Sequence, residues 1–166
     1  MTIPDQFVKW QPVYEELVRA LDSHLGHRFV GAVHFGSTAR GDGTYRNDTD
    51  LDILVVVRDD NLERAAMRKI IDSIALEQAE QRLKEFNRKH QTHVSNISLI
   101  PKGTSSLDVT KTFYYDVWHD GYTFCDREKV IEVFFKNLED HVKNHGIERK
   151  RIGLKWYWTG IGSSQT

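Results

Sequence analysis

Three aspartates, Asp48, Asp50 and Asp52, stand at alternate positions at the mouth of the apolar run "LDILVVV", Leu51 to Val57. In a strand, residues two apart point to the same face. Pairing Asp50 with Asp52 sends Leu51, Ile53 and Val55 to the opposite, buried face. Pairing Asp48 with Asp50 would set Thr49 between them, ahead of the apolar run, where the chain is still turning. Asp50 and Asp52 are therefore the pair, and Asp48 belongs to the "RND" turn. Two carboxylates on one face repel each other and lose solvation, an arrangement a hard divalent cation between them relieves. Magnesium held in this way can also hold a triphosphate. Upstream, Gly36-Ser37 follows a strand-like run, "RFVGAVHF". Glycine lets an anion approach the backbone, the serine hydroxyl adds a donor, and a helix starting at Ser37 or Thr38 would aim its positive end there. Arg40 could reach a phosphate as a bidentate donor, although an arginine in a short helix after a turn is as often a surface residue.

Those residues need elements to carry them. Phe7, Val8, Val13, Leu17, Leu21 and Leu25 recur at helical spacing, which predicts one helix from about Asp5 to Leu25. "RFVGAVHF" and "LDILVVV" read as strands, the second fully buried. Asn61 can cap a long helix carrying Leu62, Ala66, Ile70 and Ile74 along one stripe. "HVSNISLI" reads as a third strand stopped by Pro101 and Gly103. A short helix over "TFYYDVWHDG" ends at Gly121, "YTFC" is a short strand, and Val130 to Val142 is an amphipathic helix. Strands alternating with helices predict an α/β (α+β) fold, a small mixed sheet flanked by helices.

The chain has 166 residues, enough for one domain with its own core, expected over 1–159 with 160–166 as a fraying tail. Twenty-three Lys and Arg nearly balance 24 Asp and Glu, so no global field argues for nucleic acid or an acidic membrane. The single Cys125 makes no internal disulfide and no cysteine framework for zinc. "MTIPDQFVKW" has no apolar signal core, and no run is long enough to span a membrane. A cytoplasmic location is expected.

"GSTARG", then "DGTYRND", then "TDLDI" resembles the signature of the minimal nucleotidyltransferases of the DNA polymerase beta-like superfamily. "FYYDVWHDGYTFCDRE" and "RKRIGLKWYW" are similar to the C-terminal part of small prokaryotic members. The resemblance implies transfer of a nucleoside monophosphate from a triphosphate, ATP first among them, to an acceptor hydroxyl with loss of pyrophosphate. It implies Mg²⁺ on Asp50 and Asp52, phosphates on Gly36 and Ser37, and a phosphate contact from Arg40. Acceptors in such families are partner toxins, tRNA or small molecules. A partner toxin, tRNA or a homodimer is therefore expected here, and a weak or inactive nucleotide-binding module is the alternative.

One part of the pattern is missing. Members usually carry a third acid on a neighbouring strand, and "HVSNISLI" has none. Ser95 or Asn96 would offer a weak oxygen ligand, and Asp108 or Asp116 would have to come from a loop or helix. Elsewhere His90 and His93 flank a connection, and His141 and His145 lie one helical turn apart without a visible third ligand. "ERKRIGLKWYW" mixes basic and aromatic residues, a pattern of single-strand binders and also of segments that pack tryptophan on a sheet.

Overall fold

The computed structural model describes residues 3–41, 49–59, 80–153 and 155–161. In chain order these form α1 (Asp5–Val8), α2 (Gln11–Leu25), β1 (Phe29–Phe35), α3 (Ser37–Arg40), β2 (Thr49–Val57) and α4 (Glu80–His90). There follow β3 (Val94–Gly103), α5 (Thr112–Asp120), β4 (Tyr122–Asp126), α6 (Val130–Asn144), β5 (Glu148–Ile152) and β6 (Lys155–Thr159). The turn assigned to Asp48 and the helix expected from Asn61 lie outside the described residues.

Among the described residues, four strands make a mixed sheet in the order β3-β2-β1-β4. β1 is antiparallel to both β2 and β4, and β2 is parallel to β3. β2 is central and buried on both faces from Ile53 to Val57, which is why that part of its sequence is an unbroken apolar run. Leu51, Ile53, Val55 and Val57 pack with Val13, Leu17 and Leu21 of α2 and with Leu83 and Phe86 of α4. Leu54 and Val56 face the other way, onto Tyr114, Tyr115 and Val117 of α5 and Ile131, Phe134 and Leu138 of α6. The sheet is thus covered on both sides, as expected for this class.

Three elements differ from the sequence reading. The first helix is broken at Lys9 and Trp10, because Pro12 lies in the first turn of α2. A proline within a continuous helix would lose a bond to the carbonyl four residues back and clash with it, whereas a first turn tolerates it. Trp10 is fully buried at the break, while Val8, expected on the core face, is 47% exposed. β3 runs through Pro101 to Gly103. It is an edge strand among the described residues, where a missing N–H is tolerated. Finally, the basic and aromatic C-terminal segment forms an antiparallel hairpin, β5–β6, separate from the main sheet.

Candidate functional site

The register of β2 settles which groups face one another. Asp50 is opposite Asn96 and Asp52 opposite Ser98, with Leu51 and Ile53 opposite Ile97 and Leu99. Leu51 and Ile53 are fully buried, whereas Asp50 and Asp52 are half-buried on the alternate face. The register shifts between Thr49 and Asp50, so Ser95 has no place in the ladder. Ser98, not Ser95 or Ile97, is the β3 residue that reaches the pair: its hydroxyl hydrogen-bonds Asp52. Burial and the neighbouring Asp50 charge push the Asp52 carboxyl above its usual range, against a lowering pull from Ser98 and Arg40.

The Gly-Ser turn lies directly against Asp52. Gly36 has φ +82°, and a Cβ on it would come 2.5 Å from Asp52 Oδ2. Only a residue with no side chain allows this approach at this backbone angle. Ser37 starts the single turn of α3, closed by the Arg40 N–H donating to the Gly36 carbonyl at 3.1 Å. Beneath it, His34 is fully buried near the end of β1. One of its ring nitrogens meets the Tyr14 hydroxyl at 2.7 Å, and the other meets Thr38 Oγ1 at 2.8 Å. A neutral imidazole has one N–H, so one hydroxyl donates to the ring and the other accepts from it. His34 thereby ties α2, β1 and α3 together under the turn.

Burial, with Lys9 nearby, lowers the pKa of His34 from 6.5 to about 3. The folded protein holds this ring neutral while the unfolded chain protonates it, so its stabilising contribution is present above pH 6.5 and lost as pH falls toward 3. Chemical denaturation of wild type and His34→Gln at a series of pH values measures this. The wild type should lose up to about 1.4 kcal/mol more per pH unit than the variant within that window. Parallel pH profiles would refute a neutral buried His34.

Arg40 extends from α3 to the end of α5, where its Nη1 donates to Asp120 Oδ2 at 3.1 Å. Asp120 is held more firmly by Arg149 of β5, whose two terminal nitrogens donate to its oxygens at 2.5 and 2.7 Å. Burial raises the Asp120 carboxyl, but hydrogen bonds from Arg149, His119 and Arg40 outweigh it and leave the group below its usual range. Arg149 also lies over Trp156 and Trp158, 4.7 and 5.7 Å from their centroids.

Residues 15–102, more than half of the chain, match the family model of the nucleotidyltransferase domain. The chain belongs to the nucleotidyltransferase domain family. No curated protein matches it. Solved structures that are similar in part include three described as toxin–antitoxin crystal structures. A mutant of MntA–HpeT has 16% identity over 78% of this chain and 86% of that one, with a TM-score of 0.48. A toxin–antitoxin with AMP-PNP has 18% identity over 78% and 86%, at 0.47. A second MntA–HpeT mutant has 14% over 79% and 86%, at 0.44.

Within this nucleotidyltransferase domain the predicted residues Gly36, Asp50 and Asp52 converge, Ser37 follows Gly36 at the start of α3, and Arg40 is close enough to Asp52 to lower its pKa. Asp108 and Asp116 are engaged elsewhere. Asp108 accepts from Thr110 N and Oγ1, and Asp116 accepts from Trp158 Nε1 at 3.0 Å. Among the described residues no three His, Cys, Asp or Glu side chains cluster as a metal site. His145 Nδ1 donates to the His141 carbonyl at 2.9 Å, which closes the end of α6. Sequence reasoning missed three contributors: His34, Ser98 and the Asp120–Arg149 pair. Only Ser98 left a trace, since it shares the alternation of "HVSNISLI" with Asn96.

Proposed function

We propose that this nucleotidyltransferase moves a nucleoside monophosphate from a nucleoside triphosphate, ATP first, onto an acceptor hydroxyl, with Mg²⁺ held by Asp50 and Asp52. The observation that carries the reading is the contact between the Gly36 turn and the Asp52 carboxylate, which puts a backbone clear of side chains against an acidic pair. The donor set fits the ion: two carboxylates, the Ser98 hydroxyl and the Asn96 position opposite Asp50 supply oxygen, the atom magnesium prefers. An ion held there by Asp50 and Asp52 would supply charge neutralisation of the phosphates and alignment of the attacking oxygen.

The chain's own residues do the rest. Gly36 leaves room for phosphate oxygens, Ser37 donates to them, and Arg40 adds positive charge beside Asp52. The acceptor hydroxyl oxygen attacks the α-phosphorus and gives up its proton to solvent water as the bond to pyrophosphate breaks. The pair has no third carboxylate beside it among the described residues, so the rate rests on positioning and charge neutralisation. General-base help is typically worth about 10²–10⁴-fold, so its lack makes a slow enzyme before a dead one. The same observation supports the second reading, a nucleotide-binding or interaction module with little turnover.

We place the protein in the cytoplasm, as one domain over 1–159, with the acceptor supplied from outside. Among the described residues no helix is long and apolar enough to cross a membrane. The first acceptor we name is a partner toxin, which would make this chain an antitoxin. A tRNA or a small molecule follows, and a homodimer could complete the cleft. Incubation with labelled nucleotides, Mg²⁺ and each acceptor decides: metal-dependent label on an acceptor supports transfer, and tight triphosphate binding without label supports the module.

The third-acid position is testable separately. Ser98→Asp or Asn96→Asp should tighten Mg²⁺ and raise turnover, since each faces a member of the pair across the β2–β3 ladder. Isothermal titration with Mg²⁺ measures the first effect. Weaker binding in both variants would mean that β3 does not face the ion.

A further inference from the structure

The Arg40–Asp120–Arg149 cluster is asymmetric. Asp120 is 6% exposed and Arg149 7%, whereas Arg40 is 26% exposed. Arg149 makes two hydrogen bonds to Asp120, through both carboxylate oxygens, and Arg40 makes one. Two tryptophans, Trp156 and Trp158, cover Arg149, and Trp158 packs on Tyr115 of α5 at 5.4 Å between centroids. One end of the cluster is therefore fixed in the body of the protein, and the other, Arg40, is near enough to the half-buried Asp52 for its charge to lower the pKa of that carboxyl. An arginine side chain carries several rotatable bonds, and holding it in place beforehand leaves less freedom to lose when a ligand binds.

We propose that Asp120 is a positioning residue for Arg40, anchored by Arg149, so that the C-terminal hairpin helps to build the phosphate side of the site. This rests on the nucleotide reading above. It gives the β5–β6 hairpin a role in substrate binding, although its strands do not pair with the sheet that carries Asp50 and Asp52. Asp120 touches neither substrate nor metal in this scheme and acts only through Arg40.

The test is a double-mutant cycle on Arg40 and Asp120. Affinity for a non-hydrolysable ATP analogue with Mg²⁺ is measured by isothermal titration, and melting temperature is recorded alongside. Arg40→Ala should weaken binding about tenfold or more, the value of a bond to a charged group. Asp120→Asn should weaken it about 2- to 10-fold, the ordering cost of one long side chain. In the Arg40→Ala background the Asp120 change should add nothing. Among the described residues, asparagine leaves the buried Arg149 with only Asp116, 3.5 Å away, as a counter-charge, so Asp120→Glu is the second variant. It keeps the charge, moves the carboxylate by one methylene, and should give an intermediate affinity, again only when Arg40 is present. Effects that add in the double variant, or wild-type affinity in either Asp120 variant, would overturn the proposal alone. A wild type that binds no triphosphate would overturn the nucleotide reading and this inference with it.

Discussion

Asp52→Asn is expected to abolish magnesium-dependent triphosphate binding and, in the metal-free protein, to raise the melting temperature. Both effects come from one cause. Burial and the Asp50 charge raise the folded pKa of Asp52 above its ordinary 3.8. A raised acid contributes stability that is present below the unfolded value and lost as pH rises through the folded one. At neutral pH the ionised pair is thus a cost to the metal-free fold, and a neutral amide removes it. The same change takes away a metal ligand. Losing only an outer partner of a metal ligand typically costs about 10–100-fold, so losing the ligand should cost more. Asp50→Asn should behave alike in binding. Titration with Mg²⁺ and an ATP analogue, with thermal melts without metal, reads both effects. A lower melting temperature in Asp52→Asn would contradict the repulsion argument, and a larger binding defect in Asp48→Asn would shift the register by two residues.

The second large effect is expected at Gly36. Replacement by alanine forces an L side chain into a backbone conformation, φ +82° with ψ −158°, that essentially only glycine adopts, which costs roughly 1–3 kcal/mol. It also pushes a methyl group to 2.5 Å from Asp52 Oδ2. The carboxylate has to move, so the harm reaches metal and phosphate together. Valine, with a branched side chain, should be worse. Ser37→Ala removes one donor to a charged group and should cost about 1.5–3 kcal/mol of triphosphate affinity with little change in stability. The ranking, Gly36→Val above Gly36→Ala above Ser37→Ala, is read from affinity and melting temperature together. Unchanged affinity in all three would refute the phosphate cradle.

Much of this arrangement was legible in the sequence because it depends on period and type. The alternation of Asp50 and Asp52 with Leu51 and Ile53 gives their shared face directly, and the buried strands and the helices at 112–120 and 130–144 follow from apolar spacing. What was not legible depends on register and distance. The facing residue on β3 is Ser98 because the ladder shifts by one residue at Asp50, and nothing in "HVSNISLI" marks that shift. His34 carries no local sign of meeting Tyr14, 20 residues earlier, and Arg149 none of meeting Asp120, 29 residues earlier. The helix break was readable from Pro12, but apolar spacing continued across it and hid the punctuation.

Asp50 and Asp52 lie in the same row of β2 as Leu54 and Val56, which are 1% and 0% exposed in the core beneath α5 and α6. The acidic pair is thus the open end of a row whose other end is close-packed. Such a row has few arrangements of its own, so the acids cannot drift apart while the core stays whole. Amide hydrogens of β2 beside the acids should therefore exchange in the same cooperative event as those at Leu54 and Val56, not in an earlier local opening. Heating should remove nucleotide binding and the fold in a single step.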